Sequence, residues 1–210
     1  VSGLTILSTK IFSGAAVESC GIFAAGAAKK TLIYRNTVSG VTREAGIVDG
    51  ACQGIVVTYA GLSNPRHVHI FENTVKDVTS LDAPGTVADM DGIVVFQLED
   101  ATNGTSVLVS GNTTINALGR SVKISAGNPI VENHTVIRNQ RGSVNAAIEI
   151  AFQGGSGTAR DIKIIYTGSS IHSPGTDTTG TVCVSFYTSS FVPSVGRSRI
   201  VDGITVQDGS

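Results

Sequence analysis

Four acidic residues bracket one apolar stretch, VADMDGIVVFQLED (87–100), with Asp89 and Asp91 at its entrance and Glu99 and Asp100 at its exit. Hydrolysis of a glycosidic bond needs two carboxylates, one held protonated as acid and one that activates water or attacks directly. Two residues apart on a strand, Asp89 and Asp91 point the same way at about 6–7 Å, near the lower end of an inverting separation. The bland alternative is an inserted acidic loop that is solvated or paired with Arg120. Lys123 and Glu149 form a second pair of interest, since the repeat described below places them at equivalent outward positions. They read either as a surface ion pair or as groups of a site in which Glu149 partners Asp91. A lyase would instead use Arg120 or Lys123 beside a uronic acid carboxylate.

Other chemistry is less supported. His67 and His69 share one face of a strand, but beyond Glu72 no third ligand is evident, so no metal is expected. Cys20, Cys52 and Cys183 are too few for a disulfide scaffold and read as buried thiols. Cys183 faces the candidate groove without an obvious base. The loops GGSG (154–157) and SPGTDTTG (173–180) do not join a strand to a helix, so phosphate-loop readings fail. No cofactor is called for.

The elements that position these residues are short strands. Charged residues make up 15% of the 210 and there are 25 glycines and no Trp, a mixture suited to pleated surfaces and tight turns. Net charge is -1, and no basic stripe points to nucleic acid. No apolar run is long enough for a membrane-spanning helix, so no membrane insertion is expected.

The chain repeats itself. LIYRNTV (32–38), HIFENTV (69–75), VSGNTTI (109–115), VENHTVI (131–137), YTGSSI (166–171) and VDGITV (201–206) each run from an apolar strand through Asn or Gly to Thr or Ser, then Val or Ile; LSTKI (7–11) is a weaker first copy. Their anchors Ile11, Val38, Val75, Ile115, Val136, Ile171 and Val206 lie 21 to 40 residues apart. Between them recurs a second strand: GIFAAG (21–26), GIVVTY (54–59), GIVVFQ (92–97), SVKISA (121–126), AIEIAF (147–152) and VCVSFY (182–187). Each unit thus holds three strands. Ile22/Ala24, Ile55/Val57, Ile93/Val95, Val122/Ile124, Ile148/Ile150 and Val182/Val184 are expected to face inward and to be buried by stacking. Asn36, Asn73, Asn112 and Asn133, giving way to Gly168 and Gly203, are expected to take left-handed corners and to stack their amides.

This order of strand, Asn corner, strand, loop, GIVV-type strand and loop resembles the pectate-lyase-like parallel β-helix superfamily, which includes pectate lyases, polygalacturonases and bacteriophage tailspike depolymerases. The resemblance covers essentially the whole chain and implies an all-β fold: a single-stranded right-handed parallel β-helix of about six three-strand coils over residues 1–210, expected to be part of a longer chain because no capping element is seen. It implies that substrate lies along the outer face of the GIVV-type strands, lined by Phe23, Val56, Val94, Lys123, Glu149 and Cys183, with Ala25, Thr58, Phe96, Ser125, Ala151 and Ser185 in a second row. The expected activity is binding, with cleavage, of a bacterial surface polysaccharide at the cell exterior or virion surface, by a homotrimer. Asp89, Asp91 and Glu149 are the acid/base candidates; Arg120, Lys123, Tyr59, Phe96 and Glu99 are the substrate-binding candidates. Hydrolase, lyase and a non-catalytic structural or adhesin shaft all stay open, because fold alone does not decide function.

Overall fold

A computed structural model describes residues 1–11, 19–25, 29–43, 51–59, 67–80, 90–97, 106–125, 129–141, 147–150, 157–171, 184–186 and 199–208. These residues are all-β and every strand pairing among them is parallel. The strands are β1 (Thr5–Ile11), β2 (Ser19–Ala25), β3 (Lys30–Tyr34), β4 (Thr37–Arg43), β5 (Cys52–Tyr59), β6 (His67–Phe71), β7 (Thr74–Ser80), β8 (Met90–Gln97) and β9 (Ser106–Ser110). They continue as β10 (Thr113–Ala117), β11 (Val122–Ser125), β12 (Ile130–Arg141), β13 (Ile148–Ile150), β14 (Gly157–Ile171), β15 (Val184–Phe186), β16 (Arg199–Asp202) and β17 (Thr205–Asp208).

No strand pairs with its neighbour in sequence: β1 to β9 each pair with the third strand along, and from β10 onward most pair with the second, because β12 and β14 each do the work of two shorter strands. One six-stranded sheet runs β15-β13-β11-β8-β5-β2. The remaining strands form a bent, eleven-stranded sheet in which β3, β6 and β9 continue into β12, as do β1, β4, β7 and β10. The long strands β12 and β14 run through the bend and serve both halves. Apolar side chains of both sheets meet between them: Ile33, Val38, Ile55, Val57, Ile70, Ile93, Val95, Ile124 and Ile148 are all fully buried. Each such side chain contributes about 1.5–3 kcal/mol of burial, and none could be covered within its own triplet of strands.

The GIVV-type signature has a packing cause. At Gly54 a Cβ would lie 2.2 Å from Val75 Cγ1, and at Gly21 it would lie 2.3 Å from Val38 Cγ1. The two sheets approach so closely there that two successive residues, glycine and then isoleucine, both face the interior. The outward sense is then restored at Val56 and Val94. Ser121 and Ala147 occupy the same place one and two strands on, keeping the side chain small.

The corner differs from the expectation in which residue turns left-handed. Positive φ falls on Gly3, Arg35, Glu72, Gly111, Asn133, Asp161 and Gly203. Leu4, Asn36, Asn73, Asn112, His134, Ile162 and Ile204 follow them. The amide ladder is present but shorter than expected. Asn36 donates from its backbone N (3.0 Å) and Nδ2 (2.8 Å) to Asn73 Oδ1, and Asn73 donates from the same two atoms (2.9 Å each) to Asn112 Oδ1. Asn133 stands one place outside this ladder, exposed and left-handed, and the buried His134 takes the inward place. Gly203 likewise supplies a left-handed turn, while Gly168 lies opposite a register shift between Arg138 and Gln140 rather than at a corner.

Three anchors also move. Val38, Val75, Thr114, Val136, Ile164 and Val206 stand in register, so Thr114 replaces Ile115 and Ile164 replaces Ile171; Ile6, not Ile11, pairs with Val38. In the six-stranded sheet Ile148 pairs with Val184, and Ile150 with Phe186, two residues later than the Val182/Val184 expectation. Ser185 therefore stands beside Glu149, and Cys183 lies outside the described residues.

Candidate functional site

The outer face of the six-stranded sheet carries a groove of about 210 Å³ lined by Phe23, Gln53, Val56, Thr58, Val94, Phe96 and Lys123. Its geometry follows from register. Phe23, Val56, Val94 and Lys123 form one rank across β2, β5, β8 and β11, and Thr58 and Phe96 belong to the next rank. Neighbouring strands lie about 4.8 Å apart, so the rank from Phe23 to Lys123 spans about 14 Å. Phe23 is 55% exposed, whereas Val56 and Val94 are nearly closed off and Lys123 is 7% exposed. The groove thus combines two phenyl rings and an apolar floor with an amide, a hydroxyl and an ammonium.

A charged cluster adjoins the lysine end. Arg120 donates from its backbone N (2.7 Å) and Nη1 (3.5 Å) to Asp91 Oδ1, and its guanidinium forms an ion pair with Glu149, Nε lying 2.8 Å from Oε1. The Asp91 side chain is 0% exposed, and those of Arg120 and Glu149 are 15% and 14% exposed. Gly119 makes this packing possible, since a Cβ there would lie 2.7 Å from Asp91 Oδ1. Arg138, also buried, donates from Nη2 to Gly119 O at 2.7 Å. Removing one member of such a buried set leaves an uncompensated charge at a penalty of about 3–5 kcal/mol, so the cluster is firmly held.

The expected site residues fall into three groups. Asp91, Arg120, Lys123 and Glu149 are brought together: Gln53 pairs with Asp91 in register, Lys123 with Glu149, and Arg120 bridges the two carboxylates. Phe96 lies in the groove itself. Asp89, Glu99 and the side chain of Tyr59 lie outside the described residues. Asp91 is the acid/base candidate whose surroundings matter most: its carboxylate faces Arg120, and none of its surface reaches solvent. Phe23 and Thr58, both from the outward rows but not among the named binding candidates, also line the groove, and Gln53 joins them. Their signal was their place in the outward rows and at the corner position shared with Asp91.

The remaining candidates settle into structural roles. His67 Nδ1 is hydrogen-bonded to Ser106 Oγ at 2.7 Å, and His69 Nε2 to Ser110 Oγ at 3.0 Å. Burial holds the His69 pKa below its ordinary value, and its ring packs on Phe71 with centroids 4.2 Å apart. Among the described residues no three His, Cys, Asp or Glu side chains form a metal-sized cluster. Burial pushes the Cys52 thiol up to about 11, which keeps it protonated and unreactive at neutral pH. His134, wholly buried, is held down to about 3 by desolvation and meets Thr114 Oγ1 at 3.2 Å. Among the described residues no helix is long and apolar enough to cross a membrane. No family model matches the chain, and neither a curated protein nor a solved structure does.

Proposed function

We propose that the chain is a right-handed parallel β-helix of about six three-strand coils whose outer groove binds a polysaccharide. The observation that carries this reading is the composition of one concave surface. Phe23 and Phe96 offer apolar ring surface suited to the C–H faces of sugars, and Gln53, Thr58 and Lys123 supply donors and acceptors for hydroxyl groups. Three polar side chains converging in one groove distinguish this surface from the flat Val, Ala and Ser faces that a plain structural shaft would present. Repetition of the coil would set such contacts at a regular spacing, which suits a repeating polymer.

Cleavage draws less support than binding. A general acid or nucleophile must reach the glycosidic oxygen or anomeric carbon, and Asp91 and Glu149 both face Arg120. We therefore place these carboxylates in a framework that fixes the lysine end of the groove. The test is a glycan-array screen of the chain followed by Phe23→Ala on the strongest ligand. Phe23 is exposed, so its removal leaves folding intact. Loss of one stacking ring should weaken binding about tenfold. Undiminished binding by Phe23→Ala would move the ligand to another surface.

A further inference from the structure

Resting on the glycan-binding reading of the groove, we infer that its ligand is an uncharged polysaccharide segment and not an acidic one. Arg120 and Lys123 by themselves suggest a cradle for uronic acids, but the charges around them balance. Recognition of a sugar carboxylate is strongest when a guanidinium presents two parallel N–H donors. Arg120 is already ion-paired with Glu149 and donates from Nη1, together with its backbone N, to Asp91. Lys123 stands in register with Glu149 on the next strand.

The described groove and its border therefore hold two cations and two carboxylates, and the carboxylates are the groups a third anion would meet beside either cation. The other described lining residues are Phe23, Phe96, Val56, Val94, Gln53 and Thr58, all uncharged. An amide, a hydroxyl and an ammonium can donate to sugar hydroxyl oxygens, and the amide and hydroxyl can also accept. A neutral sugar chain satisfies this set without bringing an unpaired charge into a poorly hydrated surface.

The experiment is titration calorimetry of the full chain against a neutral hexose polymer panel and a uronic-acid polymer panel, at about 20 and about 300 mM NaCl. Neutral polymers are expected to bind, with affinity changing less than about twofold across that salt range. Lys123→Gln, which keeps a donor, should lower their affinity less than about fivefold. Tighter binding of uronic-acid polymers, weakened about tenfold or more by the added salt, would overturn the inference. It would leave the groove itself standing if Phe23→Ala weakened that binding about tenfold. Binding of neither panel would remove the groove reading and this inference together.

Discussion

The corner between β3 and β4 and its counterpart inside β14 share a backbone and differ in chemistry. At the first, left-handed Arg35 precedes a buried Asn36 whose amide joins a ladder through Asn73 to Asn112. At the second, left-handed Asp161 precedes a buried Ile162, with no amide to stack. The turn is therefore the work of the residue before the inward position. The inward position needs only to be filled in a way that suits its neighbours. Amides suit other amides, because each Oδ1 accepts both the backbone and side-chain N–H of the preceding copy; isoleucine suits the apolar end. His134 lies between the two regimes, with Thr114 as hydrogen-bonding partner on one side and Ile162 in the inward place on the other.

The largest break in this comparison should come from Asn73→Val. It removes the acceptor for two Asn36 donors and the side-chain donor to Asn112, Ile33 O and Phe71 O. A loss of about 2–4 kcal/mol in denaturant unfolding is expected. A variant as stable as the parent would show that the ladder adds nothing over an apolar filling.

Next in size is the pH response of His134. Its pKa is about 3 in the folded chain against about 6.5 when unfolded, so the unfolded state takes up the proton first. The stability seen above pH 6.5 should therefore fall as pH drops from 6.5 toward 3, by about 2 kcal/mol at pH 5 from this group. His134→Ile, copying the next corner, should flatten that part of the profile; an unchanged slope would assign it to other groups.

Smaller still is Asn133→Gly, which relaxes a left-handed residue without touching the ladder. Stability should change by no more than about 1 kcal/mol, in either direction, since relief of strain is offset by unfolded-state entropy. A loss comparable to that of Asn73→Val would return the structural role to Asn133. Least of all is Arg35→Ala. Its ion pair with Glu72 at 2.7 Å is largely solvent-exposed, and thermal melting should be indistinguishable from the parent.

These differences explain what the sequence could reveal. Period-2 alternation at Ile55/Val57, Ile93/Val95 and Val122/Ile124 places the core correctly, because burial on a pleated strand leaves a chemical trace. Corner assignments were harder. Asn and Gly serve both the left-handed place and the inward one, as in the adjacent pair Gly111 and Asn112, so residue type cannot tell the two apart. Ile171 and Val182 were misplaced because apolar residues also occur two or more positions from the true partners Ile164 and Val184. At the site, the Lys123–Glu149 adjacency was legible from register alone. The enclosure of Asp91 depends on Gly119 and Arg120 closing over it from the corner that leads into β11, which a carboxylate's own neighbours in sequence do not report.

The central claim, that ligand lies on the outer face of the six-stranded sheet, is most directly tested by backbone amide NMR shifts on titrating the bound neutral polysaccharide. The account predicts perturbations clustered at Phe23, Val56, Thr58, Phe96 and Lys123, with little change at Tyr34 and Phe71 on the other sheet. Perturbations centred on Tyr34 and Phe71, with the groove residues silent, would contradict it.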